Sequence, residues 1–461
     1  MKKLGGVVVA ILGVLFYVIM FRASFDAEKI LQQSVLKERT FSAEVKEISV
    51  KDDEQLKAYL MEEHSLPLVA ISFSFAKTGK AYEEKIGTAL LTENVLLDGA
   101  GGYSRKDLRD VMKEKGIKIG INAGRDRLSF SFSYVKEFEE DAFEILKAVL
   151  YQPKLEKEDL DLARQQLAVV RRQQVENPSY HLGKLVDEYF YKEHPYGREN
   201  IPDDETMAQI SAEDILAYLK AAMGKENLDV GISGDMSEEE GRHFLEKIFG
   251  ELPHRGSLFD MPSFKADFYG DKVNSHLDTS QQSFVLLVTE GIKRLDKDFY
   301  PLYIANYVLG GSGLNSRLSR AVREDEGLTY GIYSYFTNSD AVDLWQIYFS
   351  ATPENAERAL DITQNEYLKF YEEGITADEL KQAKKALLSS FNLRFSSLFN
   401  VAEMLEQMQV QGLGIDFLLK RQRLVDEVKL EDVNRAIREK MPKNLGKEAG
   451  VRQFEIISVK R

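Results

Sequence analysis

The chain has 461 residues, of which 44% are hydrophobic and 30% are charged. This length exceeds one ordinary domain, so we expect two halves of about 200 residues each. The 75 acidic residues outnumber the 61 basic ones and give a formal charge of -14, which argues against nucleic acid as a partner. With no cysteine and six histidines, disulfides, thiolate nucleophiles and cysteine-based metal sites are excluded. Any metal site would have to use His, Asp and Glu.

The N-terminal segment predicts a membrane anchor. Two lysines precede an uncharged apolar run over residues 4–21, which is just long enough to span a bilayer as a helix. The basic flank predicts a cytoplasmic N-terminus with the body on the far side of the membrane. A cleaved signal peptide usually has a small residue three positions before the cut, whereas a cut after Ala23 would place Phe21 there. We predict an uncleaved anchor over 1–25 and a polar stalk over 26–40, with cleavage as the alternative.

The first half of the body shows alternating strand and helix patterns. A glycine turn closes the first helix, and the last two strands flank an Asn-Ala-Gly turn. The predicted elements are a strand at Leu68–Phe75, a helix at Glu83–Leu97, the turn Gly99–Gly102, a helix at Asp107–Lys115, a strand pair within Ile117–Tyr134 and charged helices through Glu156–Glu176.

The second half repeats this order of elements. It again has a strand, a helix, a glycine turn, a second helix and a strand pair. The predicted elements are Ser283–Thr289, Phe299–Leu309, Gly310–Gly313, Ser316–Asp325, Thr329–Phe336 and Asp343–Ser350.

A self-comparison supports an internal duplication. A shift of 211 residues superposes Gly99 on Gly310 and Gly116 on Gly327, in register with the repeated elements. We interpret this match as one ancestral unit present twice. The boundary lies in a segment rich in Pro, Gly and polar residues, 252–272. The predicted domains are residues 41–255 and 256–461.

The first predicted helix carries a degenerate motif. Residues 87–99 read GTALLTENVLLDG, which resembles the zinc-binding helix of the pitrilysin/insulinase family of peptidases and its inverted motif His-x-x-Glu-His. In that motif two histidines hold Zn²⁺ and the glutamate acts as general base on the metal-bound water. In this sequence Leu90 stands at the first histidine position, Glu93 at the glutamate and Asn94 at the second histidine.

The third zinc ligand is missing as well. The family takes it from a later helix, which resembles Leu162–Val175 here. That stretch contains no acid, and Arg171 and Arg172 at its centre would repel a dication. The resemblance therefore implies a chain without zinc. Glu93 remains open to two interpretations, a solvated or capped helix acid and a retained proton shuttle.

Other parts of the family pattern are retained. Asn122, Ala123 and Gly124 resemble the end of the edge strand on which family members lay an extended substrate by β-augmentation. The segment His194–Arg198 resembles another family signature, in which His194 is expected to make a structural hydrogen bond. Gly310–Gly313 is interpreted as a turn between helices, because the phosphate-binding pattern GxxxxGK[ST] is absent.

The second half keeps a pair of residues that active family members use. At the spacing of Arg323 and Tyr330, the family has an Arg and a Tyr that reach the substrate carbonyl, where donors stabilise the developing negative charge. The duplicated first half has Met112 and Ile119 at the equivalent places. The alternative is that Arg323 is an ordinary helix-end cation and Tyr330 a sheet aromatic.

The resemblance implies an α+β fold. We expect two homologous peptidase-like domains that enclose a chamber, each a mostly antiparallel sheet with helices packed on one face. The expected function is that of a zinc-less subunit in a heterodimeric peptidase of the bacterial inner membrane, with its body in the periplasm or outside. It would bind extended peptides and supply Arg323 and Tyr330 in trans to a partner that alone carries zinc. The alternative is a structural or peptide-binding pseudoenzyme without a proteolytic role; a self-sufficient zinc peptidase contradicts the ligand positions.

Overall fold

The computed structural model describes most of the chain beyond residue 43, in four segments: 44–51, 53–256, 261–277 and 280–458. A single compact unit begins at Glu44 and contains both halves of the body. The predicted anchor (1–25) and stalk (26–40) lie outside the described residues. Within the described segments, no helix is long and apolar enough to cross a membrane.

The first half is built on a six-stranded sheet. Its strands are β1 (Lys46–Val50), β2 (Asp53–Glu62), β3 (Leu68–Ala76), β6 (Lys118–Ala123), β7 (Arg127–Val135) and β8 (Leu228–Gly234), and a small separate hairpin holds β4 (Gly99–Ala100) and β5 (Tyr103–Ser104). The spatial order is β1-β2-β8-β3-β7-β6. All pairs are antiparallel except β2 with β8, so the expectation of a mostly antiparallel sheet is confirmed.

Eight helices of the first half are described, and several of them cover one face of this sheet. Alternate side chains of β3 point to that face, where the Phe73 ring stacks on Phe130 of β7 and meets Phe249 at 5.2 Å. The helices are α1 (Thr88–Val95), α2 (Arg105–Glu114), α3 (Glu139–Tyr151), α4 (Lys157–Val175), α5 (Pro178–Phe190), α6 (Asp204–Ala208), α7 (Ala212–Ala222) and α8 (Glu238–Phe249).

The second half has its own five-stranded sheet. Its strands are β9 (Val273–Leu277), β10 (Ser283–Glu290), β11 (Thr329–Thr337), β12 (Leu344–Ala351) and β13 (Arg452–Ser458). Its described α-helices are α9 (Phe299–Asn306), α10 (Pro353–Glu373), α11 (Ala377–Asn392), α12 (Leu398–Val410), α13 (Phe417–Asp426) and α14 (Leu430–Lys440).

The strand order of the two sheets is the same. The second sheet runs β11-β12-β10-β13-β9, which matches β6-β7-β3-β8-β2 of the first. In each sheet the one parallel pair falls at the same place, β13 with β9 and β8 with β2. This repeat supports the interpretation of a duplicated unit.

Each sheet receives a helix from the other half on its second face. Helix α12 of the second half packs on β8, β3 and β2, and helix α5 of the first half packs on β13, β10 and β9. The expectation of helices packed on one face describes each half by itself, and in the assembled chain the second face is covered as well. The physical reason is that the central strands are buried on both sides, so each sheet needs two layers of cover.

Helix α12 combines apolar burial with one buried carboxylate. Val401, Leu405 and Met408 are buried, and each such side chain contributes about 2 kcal/mol when removed from water. Between them Glu406, 3% exposed, accepts hydrogen bonds from the hydroxyl groups of Ser72 and Ser74 on β3. Burial raises the pKa of Glu406, and the two hydroxyl donors partly offset that rise.

Aromatic side chains fill the contact between the halves. The Phe190 ring of α5 lies 5.3 Å from the Phe454 ring of β13 and 5.4 Å from Phe268. Tyr191 and Tyr196 belong to the same buried cluster. Packed side chains therefore occupy this contact between the two halves.

The glycine turn predicted at Gly310–Gly313 is partly helical. After α9 the chain continues as a π-helical segment, Tyr307–Gly311, and a 3₁₀ turn, Gly313–Asn315. A Cβ on Gly310 would lie 2.6 Å from the backbone nitrogen of Ser334. Gly310 is therefore needed for the close approach of this segment to β11.

The substitution Gly231→Ala tests the docking of α12 on the first sheet. A Cβ at this position on β8 would overlap the Ala402 carbonyl oxygen and lie 2.5 Å from the Glu406 nitrogen. Because both atoms are backbone, we expect the free energy of unfolding to fall by about 3 kcal/mol. Urea denaturation measures this loss. Gly102→Ala is the control, since no heavy atom lies within 4 Å of its Cβ position, and an equal loss in both variants would contradict the docking geometry.

Candidate functional site

The degenerate motif lies on α1, whose N-terminus is held by a buried glutamate. Glu83 Oε1 accepts a hydrogen bond from the Gly87 N–H at 2.6 Å, and Oε2 accepts one from the Ala89 N–H at 2.7 Å. The helix therefore begins at Thr88 and not at Glu83 as predicted. Sequence reasoning counted Glu83 as a helical residue, although it satisfies the free N–H groups at the helix start from outside the helix. The sequence signal for this contact was the acidic residue Glu83, just before Gly87.

The two histidine positions hold side chains that do not fit a zinc ion. Leu90 is 7% exposed and belongs to the core of the first half. Asn94 is exposed, and its Nδ2 donates a hydrogen bond to the Leu90 carbonyl of its own helix at 2.8 Å. A leucine has no ligating atom and an amide is a poor zinc ligand. The motif therefore cannot hold the metal that the family uses here.

Glu93 points to the edge strand of the first sheet. Its Oε2 accepts a hydrogen bond from the Ala123 N–H at 2.8 Å. Strand β6, which ends at Ala123, is the last strand of the sheet. The carboxylate therefore binds a backbone donor that an added strand would otherwise use. This contact supports the interpretation of Glu93 as a capped acid over that of a retained proton shuttle.

The third ligand position also carries no acid. Helix α4 packs against α1, as a helix bearing the third ligand must. Arg171 on this helix donates from Nη2 to the Glu199 carboxylate at 3.2 Å and from Nε to the Ile201 carbonyl at 3.3 Å. Arg171 thus ties α4 to a neighbouring loop. Across the described residues, no group of three or more His, Asp and Glu side chains is arranged to hold a metal ion.

The turn after the edge strand is fixed by backbone contacts. The Gly124 carbonyl accepts a hydrogen bond from the Lys80 N–H at 2.9 Å, and the Gly124 N–H donates to Arg127. Asn122 is exposed and Ala123 is buried. The predicted peptide-binding residues Asn122, Ala123 and Gly124 thus lie together at one end of the strand, next to Glu93.

Arg323 and Tyr330 lie in the second half on different elements. Arg323 belongs to a π-helical segment, Ser319–Glu324, and Tyr330 stands near the start of β11, where the register with β12 shifts. Tyr330 is 82% exposed. Strand β11 is the edge of the second sheet. In the described part of the chain, no hydrogen bond or ion pair joins Arg323 or Tyr330 to Glu93 or to the β6 edge.

The predicted structural role of His194 agrees with its contacts. Its Nδ1 accepts a hydrogen bond from the Tyr196 N–H at 3.2 Å, and its Nε2 lies 3.2 Å from the Pro262 carbonyl. Burial lowers the pKa of His194. The histidine thus joins the first half to the segment that leads into the second.

Two family models match consecutive parts of the chain. Residues 62–204 match the insulinase family, peptidase family M16, and residues 209–387 match the peptidase M16 inactive domain. The first region contains the degenerate helix and the edge strand, and the second contains Arg323 and Tyr330. The fold and site define a two-domain peptidase-like protein without its zinc ligands. The chain belongs to peptidase family M16, as a homologue that lacks zinc.

Individual relatives agree with this assignment. The chain is 23% identical to the non-peptidase homolog YmxG of Helicobacter pylori over 375 residues, which cover 81% of this chain and 86% of that protein. It is 23% identical to the probable mitochondrial-processing peptidase subunit beta of Schizosaccharomyces pombe, over 69% of this chain and 71% of that protein. A peptidase M16 inactive domain from Pseudomonas fluorescens has the same fold, with a TM-score of 0.80 and 24% identity, over 90% of this chain and 98% of that one.

The pH dependence of stability tests the buried cap of α1. Burial raises the pKa of Glu83 from 4.5 to about 7, so the native state keeps a proton that the unfolded state releases from about pH 4.5 upward. The contribution of this group is therefore greatest below pH 4.5 and is lost as the pH rises to about 7. We expect a loss of about 3 kcal/mol across this window.

Urea denaturation of the wild type and of Glu83→Gln at several pH values measures this loss. The glutamine variant should lack this part of the pH dependence. Glu84→Gln, at an exposed neighbouring position, should retain it. A Glu83→Gln profile parallel to that of the wild type would show that Glu83 does not titrate in this window.

Proposed function

We propose that the chain is the zinc-less subunit of a heterodimeric M16 peptidase and that it supplies Arg323 and Tyr330 to a substrate held on the zinc of its partner. Its own substrate contact would be the edge strand ending at Asn122, Ala123 and Gly124, which would bind extended peptides by backbone pairing. The peptide would pair with other backbone groups of this strand, because Glu93 holds the Ala123 N–H and the Gly124 backbone groups bond within the fold. The zinc ion and the general base would belong to the partner. Similarity to a protein named as a processing-peptidase subunit supports an assembly of this kind.

The observation that carries the proposal is the exposure of Tyr330. A tyrosine with a structural role in a sheet packs its ring against neighbouring strands, whereas Tyr330 as a residue is 82% exposed. Arg323, seven positions earlier, forms no ion pair within the described residues. A phenol and a guanidinium presented to the outside can donate to an oxyanion on another chain.

A second candidate function is a peptide-binding pseudoenzyme with no proteolytic role. The name of the Helicobacter relative, a non-peptidase homolog, favours it. The hydrogen bond from Ala123 to Glu93 also fits, because it turns the former base into a structural acid. The two candidates differ in whether Arg323 and Tyr330 affect a reaction on a partner.

Co-expression with a zinc-bearing M16 protein of the same genome tests trans catalysis. In the purified complex, Arg323→Ala and Tyr330→Phe should each lower kcat for peptide cleavage by about a hundredfold, because each removes a donor to the developing oxyanion. The matched controls are Arg320→Ala, in the same π-helical segment, and Tyr333→Phe, on the same strand. Neither control should change kcat by more than about twofold.

Three results of this experiment would decide against the proposal. Full activity of the partner alone would do so, as would an unchanged kcat in a complex that carries Arg323→Ala. Stoichiometric zinc in the isolated chain, together with peptide cleavage by it, would support a self-sufficient peptidase. Size-exclusion chromatography of each complex separates loss of assembly from loss of catalysis.

We also propose that residues 4–21 anchor the protein in a bacterial inner membrane, with the body in the periplasm or outside. The two lysines before this apolar run support that orientation. We expect the full-length chain to stay in the membrane fraction after carbonate extraction. A shortened chain in the periplasmic extract would instead show cleavage and release.

A further inference from the structure

A cavity of about 780 Å³ opens in the second half. Its walls come from α9, the edge strand β11, the end of α11, α12 and α13. Much of the lining is aromatic, including Phe299, Tyr303, Phe336 and Phe417. A volume of this size lies in the range of ordinary ligand pockets.

Three arginines line this cavity without partners of opposite charge. Arg421 is 8% exposed, its guanidinium stacks on the Phe391 ring at 3.8 Å, and its Nη1 has no hydrogen-bond partner. Arg294 lies over the Phe299 ring at 4.1 Å and donates to the Tyr300 hydroxyl at 3.1 Å. In the described segments, no carboxylate oxygen lies within 4.0 Å of a guanidinium nitrogen of Arg294, Arg394 or Arg421.

This arrangement of arginines costs free energy unless an anion binds in the cavity. Burial lowers the pKa of Arg421 by removing water from its guanidinium. Tyr303 and Tyr300 oppose this shift, and the positive charges of Arg394 and Arg294 add to it. The chain as a whole has a formal charge of -14, so the cavity is a local concentration of positive charge in an acidic protein. A carboxylate could accept two parallel hydrogen bonds from a guanidinium and satisfy the free Nη1.

The charges of the residues that line the cavity favour some anions over others. Glu403 also lines the cavity, so the lining carries three cations and one acid, which suits a singly charged group better than a polyphosphate. The edge strand β11 contributes Ser334, Tyr335 and Phe336 to the lining, and at Ser334 its backbone already contacts Gly310 and Asn306. The C-terminal residue of a peptide joins a carboxylate and a side chain at one Cα, which matches a cavity lined by both arginines and aromatic rings.

We propose that this cavity binds the C-terminus of an extended peptide, with its carboxylate on Arg421 and Arg394 and its last apolar side chain against the aromatic wall. The site differs from Arg323 and Tyr330 and needs no partner chain, so it goes beyond the proposed heterodimer. Such a site would select peptides by their free C-terminal carboxylate.

Fluorescence anisotropy on the full chain tests this site without any peptidase activity. The probe is a labelled acetylated alanine peptide ending in Ala-Phe, prepared with a free C-terminal carboxylate and as the C-terminal amide. We expect the acid to bind at least about tenfold more tightly than the amide, the size of one charged hydrogen bond. Arg394→Ala and Arg421→Gln should each weaken binding of the acid by about tenfold.

Arg423→Ala is the matched control, because Arg423 is exposed on the same helix as Arg421 and forms a helical pair with Glu427. It should leave the affinity unchanged. Since Arg421 is buried, Arg394→Ala provides a variant at an exposed position whose folding is less at risk. Equal affinity for acid and amide, no binding of either peptide, or an equal loss in Arg423→Ala would each overturn the proposal. Competition by inorganic phosphate as strong as by the unlabelled peptide would show a general anion site and would also overturn it.

Discussion

The exchange of helices between the two sheets is the interaction on which the structure depends. The central strands β3 and β10 are buried on both sides, and the helices of one half cover only one of those sides. Helix α12 and helix α5 supply the missing layers across the boundary. The halves are therefore joined by burial of apolar surface, which is the main favourable term in folding. Neither sheet is completely covered without the other half.

The degenerate motif is held in place by contacts within the first half. Helix α1 lost its ligating side chains, yet Leu90 packs in the core and the carboxylates of Glu83 and Glu93 bind backbone N–H groups. These contacts hold the helix against the end of β6 without a metal. The helix that resembles the zinc-binding helix of the family therefore has a structural role in this chain.

The second half carries an exposed tyrosine and a cavity lined by arginines. Tyr330 extends from an edge strand into solvent, and the arginine-lined cavity holds Arg421 with a free buried nitrogen. A buried donor without a partner costs free energy, whereas an exposed donor is hydrated and carries no such cost. The cost therefore falls on Arg421, while Tyr330 is simply accessible from solvent.

The sequence by itself determined the local secondary structure and the absence of zinc ligands from the motif. Strand Leu68–Phe75, helix Asp107–Lys115 and strand Thr329–Phe336 were predicted to within a residue or two at each end, because apolar periodicity reports local geometry. The identities of Leu90 and Asn94 excluded zinc directly. Only the tertiary structure decided which helix covers which sheet. It also brought together three arginines from separate elements, 294, 394 and 421. Contacts between residues on separate elements depend on how the elements pack, and no local pattern records them.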